Sequence, residues 1–246
     1  MTSPTASFDN DVADVFQRYG ALHSGHLLPY LRRTLTGYLR ELREREGGGD
    51  KLVGLDAGCG SGRFTGLLAD CCDQVLAVDA GEKAIRQANE EHFYRHVEFR
   101  HADMMALDPA EQRFGIVLCV NALFHVYDSY EPVDALRYLG DLVAPGGLLL
   151  IVDVVATPSR SRLRHRLRGL ADAGMVLRDT RRFGDAAFTL KVRQSAGWLR
   201  HVDRHVPLDH ATFERACHQA FAGQGTYTWP AGNKSVAGFA WRRPAD

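Results

Sequence analysis

Several glycines and one acidic residue lie close together in a short stretch of the sequence, LVGLDAGCGSGRF, which runs from Leu52 to Phe64. An apolar run leads into Asp56, and Gly58, Gly60 and Gly62 then precede a segment with helical character. Glycine lets the backbone turn tightly and approach a ligand closely. The first turn of a following helix offers N–H groups without helical partners. The pattern therefore predicts a nucleotide or cofactor loop after the first strand of an α/β sheet.

The spacing of these glycines excludes two common phosphate-binding loops. The dinucleotide fingerprint G-x-G-x-x-G, counted from Gly58 and Gly60, requires a third glycine where the sequence has Arg63. A P-loop needs a lysine after its last glycine, and none follows here. The acid at the strand end, Asp56, favours a cationic ligand over a pyrophosphate.

Strands and helices alternate around this loop, and this order predicts a parallel sheet covered on both faces. The predicted strands are Leu52–Asp56, Gln74–Asp79, Val97–His101, Phe114–Val120, Leu148–Val155 and Ala187–Val192, followed by an antiparallel pair, Gly225–Trp229 and Ser235–Trp241. The predicted helices are two runs within Asp9–Glu46 (the second Leu27–Leu42), then Arg63–Cys72, Glu82–Phe93, Pro132–Val143, Pro158–Ala173 and Asp209–Phe221. Asp209 is the predicted N-cap of the last helix, and Pro145, Gly146 and Gly147 predict a turn.

Five segments, in order, resemble the motifs of the class I S-adenosylmethionine-dependent methyltransferases over roughly residues 51 to 155. They are LVGLDAGCGSGRF, VLAVDAGEKAI, VEFRHADMMAL, FGIVLCVNALFHV and LVAPGGLLLIVD. One departure is Phe114-Gly115, where the family often has Phe-Asp. The resemblance implies an α/β fold with a Rossmann-like, doubly wound seven-stranded sheet. N-terminal helices and an insertion after the fifth strand would form a cap.

The resemblance also implies a cofactor, S-adenosylmethionine, with S-adenosylhomocysteine as the product. Asp79 would hold both ribose hydroxyls, Asp103 and Met104 would contact the adenine, and Asn121 would lie near the methionine moiety. The full set of implied cofactor contacts is Asp56, Gly58, Cys59, Gly60, Gly62, Asp79, Ala80, Asp103, Met104, Asn121 and Tyr19. Taken singly, Asp79 is better explained as a helix N-cap and Asp103 as a cap of Met104. Five motifs in the family's order outweigh those separate explanations.

Histidines supply the candidates for catalysis. His125 lies four residues after Asn121, in the loop that in similar enzymes opens toward the transferable methyl group. With an ordinary pKa of ~6.5, a histidine accepts a proton at neutral pH. The alternative is that His125 only bonds the backbone or the cofactor. His26 and His23, between the N-terminal helices, are further candidates, against a role as exposed loop residues. The aromatic residues that either line an acceptor pocket or pack in the core are Phe124, Tyr127, Trp198 and Trp229.

Composition favours a soluble globular protein, and the spacing of its histidines and cysteines predicts no metal site. The chain has 246 residues and no formal net charge, and none of its five cysteines forms a C-x-x-C pair. No run approaches the ~18 apolar residues of a membrane span, and no signal peptide is evident, so we expect a cytoplasmic protein. The expected divisions are 1–50, an N-terminal helical cap; 51–155, the cofactor-binding half; 156–206, a cap or insertion; and 207–246, the last helix and two strands.

The resemblance implies methyl transfer to an O, N or C atom of a small molecule, and we expect a monomer or homodimer. Arginine supplies 26 of the 30 basic residues, which suggests a GC-rich bacterium and specialised metabolism. The alternatives are an RNA or protein methyltransferase, and a non-methylating enzyme that uses the same cofactor for cyclisation or rearrangement. The balanced charge counts against nucleic acid. The arginines of PSRSRLRHRLR, residues 158–168, would spread around a helix without forming a stripe.

Overall fold

A seven-stranded mixed sheet forms the centre of the computed structural model, which describes residues 28–41, 51–155, 208–228 and 236–245. The strands are β1 Val53–Ala57, β2 Gln74–Asp79, β3 Val97–His101, β4 Phe114–Val120, β5 Val143–Val154, β6 Thr226–Thr228 and β7 Val236–Arg242. The helices are α1 (28–41), α2 Thr65–Ala69, α3 Glu82–Glu91, α4 Leu123–Val126, α5 Pro132–Asp141 and α6 His210–Ala220, with a 3₁₀ turn at Met104–Ala106.

The strand order places the ends of β1, β2 and β4 side by side. The order is β3-β2-β1-β4-β5-β7-β6, in which β1 to β5 pair in parallel and β7 is antiparallel to both neighbours. The strand order reverses at β1, from which β2 and β3 lie on one side and β4 and β5 on the other, and open α/β sheets bind ligands at such switch points. The carboxyl ends of β1, β2 and β4 therefore form one edge that can hold a site.

Apolar composition explains why β4 and β5 lie at the centre. Both are almost continuously apolar, which is typical of parallel strands covered on two faces. On one face, α5 and α6 bury Leu136, Leu139 and Phe213 against the sheet. Fully burying a side chain such as Phe213, which is 1% exposed, stabilises the fold by about 1.5–3 kcal/mol. The helices α1 and α2 pack on the opposite face.

The helix α1 packs on the sheet through one stripe of side chains. Leu31, Leu35 and Tyr38 recur at helical spacing and are buried. The Tyr38 hydroxyl lies 3.3 Å from the carbonyl oxygens of both Gly115 and Gly146, so that it donates to the β4 and β5 ends opposite the candidate site. The guanidinium of Arg242 stacks over the Tyr38 ring at 4.9 Å. Residues 28–41 are therefore part of the sheet packing.

Several element boundaries differ from those predicted. The predicted turn at residues 145–147 instead lies inside β5, because a register shift between Phe114 and Ile116 lets the strand begin at Val143. Gly146 permits this irregular strand because its φ is +75°. The helix predicted at Arg63–Cys72 is shorter, Thr65–Ala69, since its flanking residues form turns. Asp209 caps α6 as predicted, by accepting from the Thr212 main-chain N–H.

Part of the predicted organisation lies outside the described residues. This part contains the predicted helix Pro158–Ala173, the strand Ala187–Val192, the arginine run, and most of segments 1–50 and 156–206. The role of those two segments as a cap stays a prediction. Within the described ranges, each helix is too short or too polar to cross a membrane.

Candidate functional site

The glycine loop follows β1 at the carboxyl edge of the sheet. Two of its positions, Gly58 and Gly60, require glycine for different reasons. Gly58 has a φ of +78°, and a Cβ added there would meet the Ala122 Cβ at 2.3 Å. Gly60 has a φ of +56°, but a Cβ there would meet nothing within 4 Å. Gly58 is therefore required for packing against the loop after β4. Gly60 places bare backbone beside open space, where a ligand can approach it.

Asp79 joins the glycine loop to the turn that follows β2. Its Oδ2 accepts from the Gly60 N–H at 2.8 Å, and its Oδ1 accepts from the Gly81 N–H at 2.7 Å. Burial raises the pKa of Asp79, while the two N–H donors and the neighbouring His101 oppose that rise. A carboxylate has about four acceptor positions, so two protein donors leave capacity for the hydroxyls of a diol.

Asp56 is a buried acid behind the loop. Its side chain is 1% exposed, and its Oδ2 accepts from the Thr65 hydroxyl at 2.6 Å. Burial raises the pKa of Asp56 to about 7, the Thr65 hydrogen bond opposes the rise, and the charge of Asp79 adds to it. Asp56 thus holds the first residue of α2 against the end of β1, and its charge changes near neutral pH.

The loop after β3 lies at the same edge of the sheet, next to the loops after β1 and β2. Asp103 accepts from the Met105 N–H at 2.9 Å and caps the 3₁₀ turn that begins at Met104. Met104 is buried, and its Cε lies 3.9 Å from where a Gly58 Cβ would stand. The loops after β1, β3 and β4 therefore meet at Gly58.

Asn121, directly after β4, has an unusual backbone conformation and a side-chain oxygen without a hydrogen-bond partner. Its φ is +54°, a region that asparagine tolerates better than most residues. Its main-chain N–H donates to the Val152 carbonyl at 2.7 Å, which fixes the residue to the end of β5. Its Oδ1 is buried and has no hydrogen-bond partner. A buried acceptor of this kind costs about 1–3 kcal/mol unless something donates to it.

The candidate base His125 lies on α4, directly after this strand end. It is half-buried, and its ring centroid is 3.9 Å from that of Phe124, which is itself buried. The Tyr127 hydroxyl is buried without a hydrogen-bond partner, and burial together with the charge of Asp153 raises its pKa well above the ordinary value. The short helix α4 therefore brings an imidazole and two aromatic rings to the loop after β4.

Most of the predicted site residues lie at this one edge. The structure brings together Asp56, Gly58, Cys59, Gly60, Gly62, Asp79, Ala80, Asp103, Met104 and Asn121 in the loops or strand ends after β1 to β4. Cys59 is buried, and burial raises the pKa of its thiol. Ala80 is exposed, and its carbonyl accepts from His101. Tyr19, His23, His26, Trp198 and Trp229 lie outside the described residues.

Two residues at this edge, Thr65 and His101, were not predicted from the sequence. Thr65 holds Asp56, and the available signal was a hydroxyl at the first helical position after the glycine loop. His101 lies opposite Asp79 in the pairing of β2 with β3, and its Nε2–H donates to the Ala80 carbonyl at 3.0 Å. The only signal for His101 was its place two residues before Asp103, at a strand end.

A methyltransferase-domain family model matches residues 55–147, which run from β1 and the glycine loop into β5. Over these residues the chain is similar to the class I S-adenosylmethionine-dependent methyltransferases. The strand order and the loop geometry agree with this similarity, and the predicted resemblance and the predicted Rossmann-like fold are confirmed.

Two bacterial relatives support this similarity over part of their length. The chain is 35% identical over 111 residues to an uncharacterized methyltransferase of Mycobacterium tuberculosis, covering 45% of this chain and 55% of the relative. It is 30% identical over 165 residues to a ubiquinone biosynthesis O-methyltransferase of Ruegeria pomeroyi, covering 63% and 64%. The chain thus spans between half and two thirds of the length of these relatives.

A solved structure shows the same fold across most of the chain. The plantazolicin methyltransferase BpumL, in complex with S-adenosylhomocysteine, matches with a TM-score of 0.61 and 13% identity, covering 96% of this chain and 91% of that chain. At that identity the likeness concerns the fold.

Proposed function

We propose that this methyltransferase-family protein transfers the methyl group of S-adenosylmethionine to an O, N or C atom of a small molecule. The observation that carries the proposal is the Asp79 carboxylate. It accepts from Gly60 and Gly81 and retains acceptor capacity beside the open space at Gly60.

The residues present fit the cofactor on two further counts. The ribose of the cofactor offers two hydroxyl donors, which match the remaining acceptor positions of Asp79. Its methionine end carries an ammonium group, which matches the unpaired Oδ1 of Asn121. Donors of this type would remove the cost of that buried oxygen. Asp103 and Met104 would lie on the adenine side.

The chemistry that the bound cofactor supplies is an electrophilic methyl group on a sulfonium sulfur. The chain contributes position: its loops would hold donor and acceptor in contact, which accounts for about 7–11 kcal/mol in well-oriented reactions. His125 would take the proton of a hydroxyl or ammonium acceptor, a role worth about 10²–10⁴-fold in rate. The half-buried imidazole lies against the Phe124 ring, with the two ring centroids 3.9 Å apart.

Several features support a small-molecule acceptor. The Ruegeria relative is named for ubiquinone biosynthesis, and the solved structure is a plantazolicin methyltransferase. The chain also has no basic excess for binding nucleic acid. The arginine-rich composition supports an origin in a GC-rich bacterium, and we propose a role there in specialised metabolism, in the cytoplasm. His26, His23 and Tyr19 would belong to the cap that covers the acceptor.

Calorimetric titration with S-adenosylhomocysteine and S-adenosylmethionine tests the proposal, with Asp79→Ala as the site variant. Asp73→Ala is the matched control, because Asp73 also accepts from a main-chain N–H, that of Leu52 at 2.7 Å, at the opposite end of β2. We expect binding that Asp79→Ala weakens and Asp73→Ala does not. Folded wild-type protein that binds neither compound would contradict the proposal.

An acceptor screen read by mass then separates the remaining alternatives. Methylation adds one CH₂ to the product, whereas cyclisation or rearrangement adds nothing. Activity found only on structured RNA or on protein would overturn the small-molecule proposal. A product of unchanged mass would instead assign a non-methylating reaction to the same cofactor site.

A further inference from the structure

A histidine that the proposed reaction does not use stands beside the acid that would hold the ribose. His101 is the last residue of β3 and pairs with Asp79, the last residue of β2. The main chain continues this pairing, because the Ala102 N–H donates to the Asp79 carbonyl at 3.0 Å. The two side chains thus belong to one corner of the sheet.

The imidazole of His101 bridges from that corner to the turn after β2. Its Nε2–H donates to the Ala80 carbonyl at 3.0 Å. Ala80 stands between the carboxylate of Asp79 and the Gly81 N–H, which donates back to Asp79 at 2.7 Å. A bond that fixes the Ala80 carbonyl therefore fixes the peptide unit that carries the Gly81 donor.

The same corner determines where the free acceptor positions of Asp79 point. Its two oxygens are each held by one N–H, from Gly60 on one side and Gly81 on the other. If the turn moves, the Gly81 bond lengthens and the carboxylate rotates toward Gly60. Substrate and cofactor sites lose affinity when such supporting contacts are loose.

We propose that His101 is a positioning residue for the cofactor site, which holds the turn 79–81 so that the Asp79 carboxylate faces the ribose diol. This inference rests on the proposed function for its ligand, but the geometry that it describes exists in the ligand-free protein. His101 acts through Asp79 and Ala80, so it needs no contact with the cofactor.

Three variants test the proposal. His101→Ala removes the bond to Ala80. His101→Gln keeps an N–H donor at a similar distance from the backbone. His96→Ala is the matched control, because His96 is also exposed and directly precedes the same strand. Its Nε2–H donates to the Ala69 carbonyl at 2.9 Å, at the opposite edge of the sheet.

The first measurement is amide hydrogen exchange in the ligand-free protein. We expect His101→Ala to speed exchange in the peptides that contain Gly60 and Gly81, while His101→Gln and His96→Ala match the wild type there. Unchanged exchange in His101→Ala would overturn the proposal. This readout holds even if the wild type binds no S-adenosylhomocysteine, an outcome that would contradict the proposed function instead.

The second measurement is the Kd for S-adenosylhomocysteine. Since one hydrogen bond of this kind contributes modestly, His101→Ala should raise the Kd by about two- to tenfold, with His101→Gln close to the wild type. A raised Kd with unchanged exchange would mean that His101 touches the cofactor directly, which overturns the positioning role. An equal rise in His96→Ala would assign the effect to general loosening of β3, and would overturn it as well.

Discussion

Substitution of Gly60 by alanine separates the cost of backbone strain from the loss of a ligand site. Gly60 has a φ of +56° and open space where a Cβ would stand. Gly146 offers the matched control: its φ is +75°, a Cβ there would also meet nothing within 4 Å, and it lies at the start of β5, away from the glycine loop. The two variants differ in what the added methyl group would face.

The expected magnitudes follow from this comparison. An L-residue in the left-handed region costs about 1–2 kcal/mol, so both variants should lower the free energy of unfolding by that amount. In a chain of this size such a loss lowers the Tm by about 2–8 °C. At Gly60 the methyl group also intrudes on the cofactor, and overpacking costs about 1–3 kcal/mol. That is a loss of about 5- to 150-fold in affinity.

The assay is thermal unfolding together with calorimetric titration of S-adenosylhomocysteine for Gly60→Ala, Gly146→Ala and the wild type. Equal affinity in the two variants would refute the argument that the open space at Gly60 receives the cofactor. Gly58→Ala completes the series. There the contact with Ala122 at 2.3 Å adds to the strain, so we expect a loss of about 2–5 kcal/mol in stability.

Three more outcomes are expected. Because burial raises the pKa of Asp56 from 3.8 to about 7, the folded chain keeps a proton that the unfolded chain releases, so stability falls from about pH 4 to 7 by up to roughly 4 kcal/mol. Asp56→Asn should flatten this slope in urea denaturation, and an unchanged slope would contradict the assignment. His125→Gln should lower kcat by about 10²–10⁴-fold with cofactor Kd unchanged; a smaller fall leaves His125 a structural role. Asp209→Ala should cost about 1 kcal/mol in urea denaturation, since α6 loses its cap; unchanged stability would refute that.

The sequence was informative where a role depends on neighbours along the chain. The glycine loop, the acids at or next to the ends of β1 and β2, and the alternation of strands and helices are local patterns. They predicted the methyltransferase resemblance and the order of the core elements. The N-cap of α6 was predictable for the same reason, because Asp209 and Thr212 are three residues apart. Boundaries were less well predicted at α2 and at the start of β5, where contacts between strands decide how far an element extends.

Tertiary structure alone decided the finer arrangement of the site. No local pattern predicts that His101 pairs with Asp79, because strand register depends on packing across the whole sheet. The raised pKa of Asp56 comes from its burial in the folded chain, where it also accepts from Thr65 at the start of α2. Asn121 acquires its left-handed backbone and unpaired oxygen only where β4 meets β5. The sequence by itself determined which groups reach the edge of the sheet, since each follows a strand. Long-range packing determined which partners they find there and which polar atoms remain for a ligand.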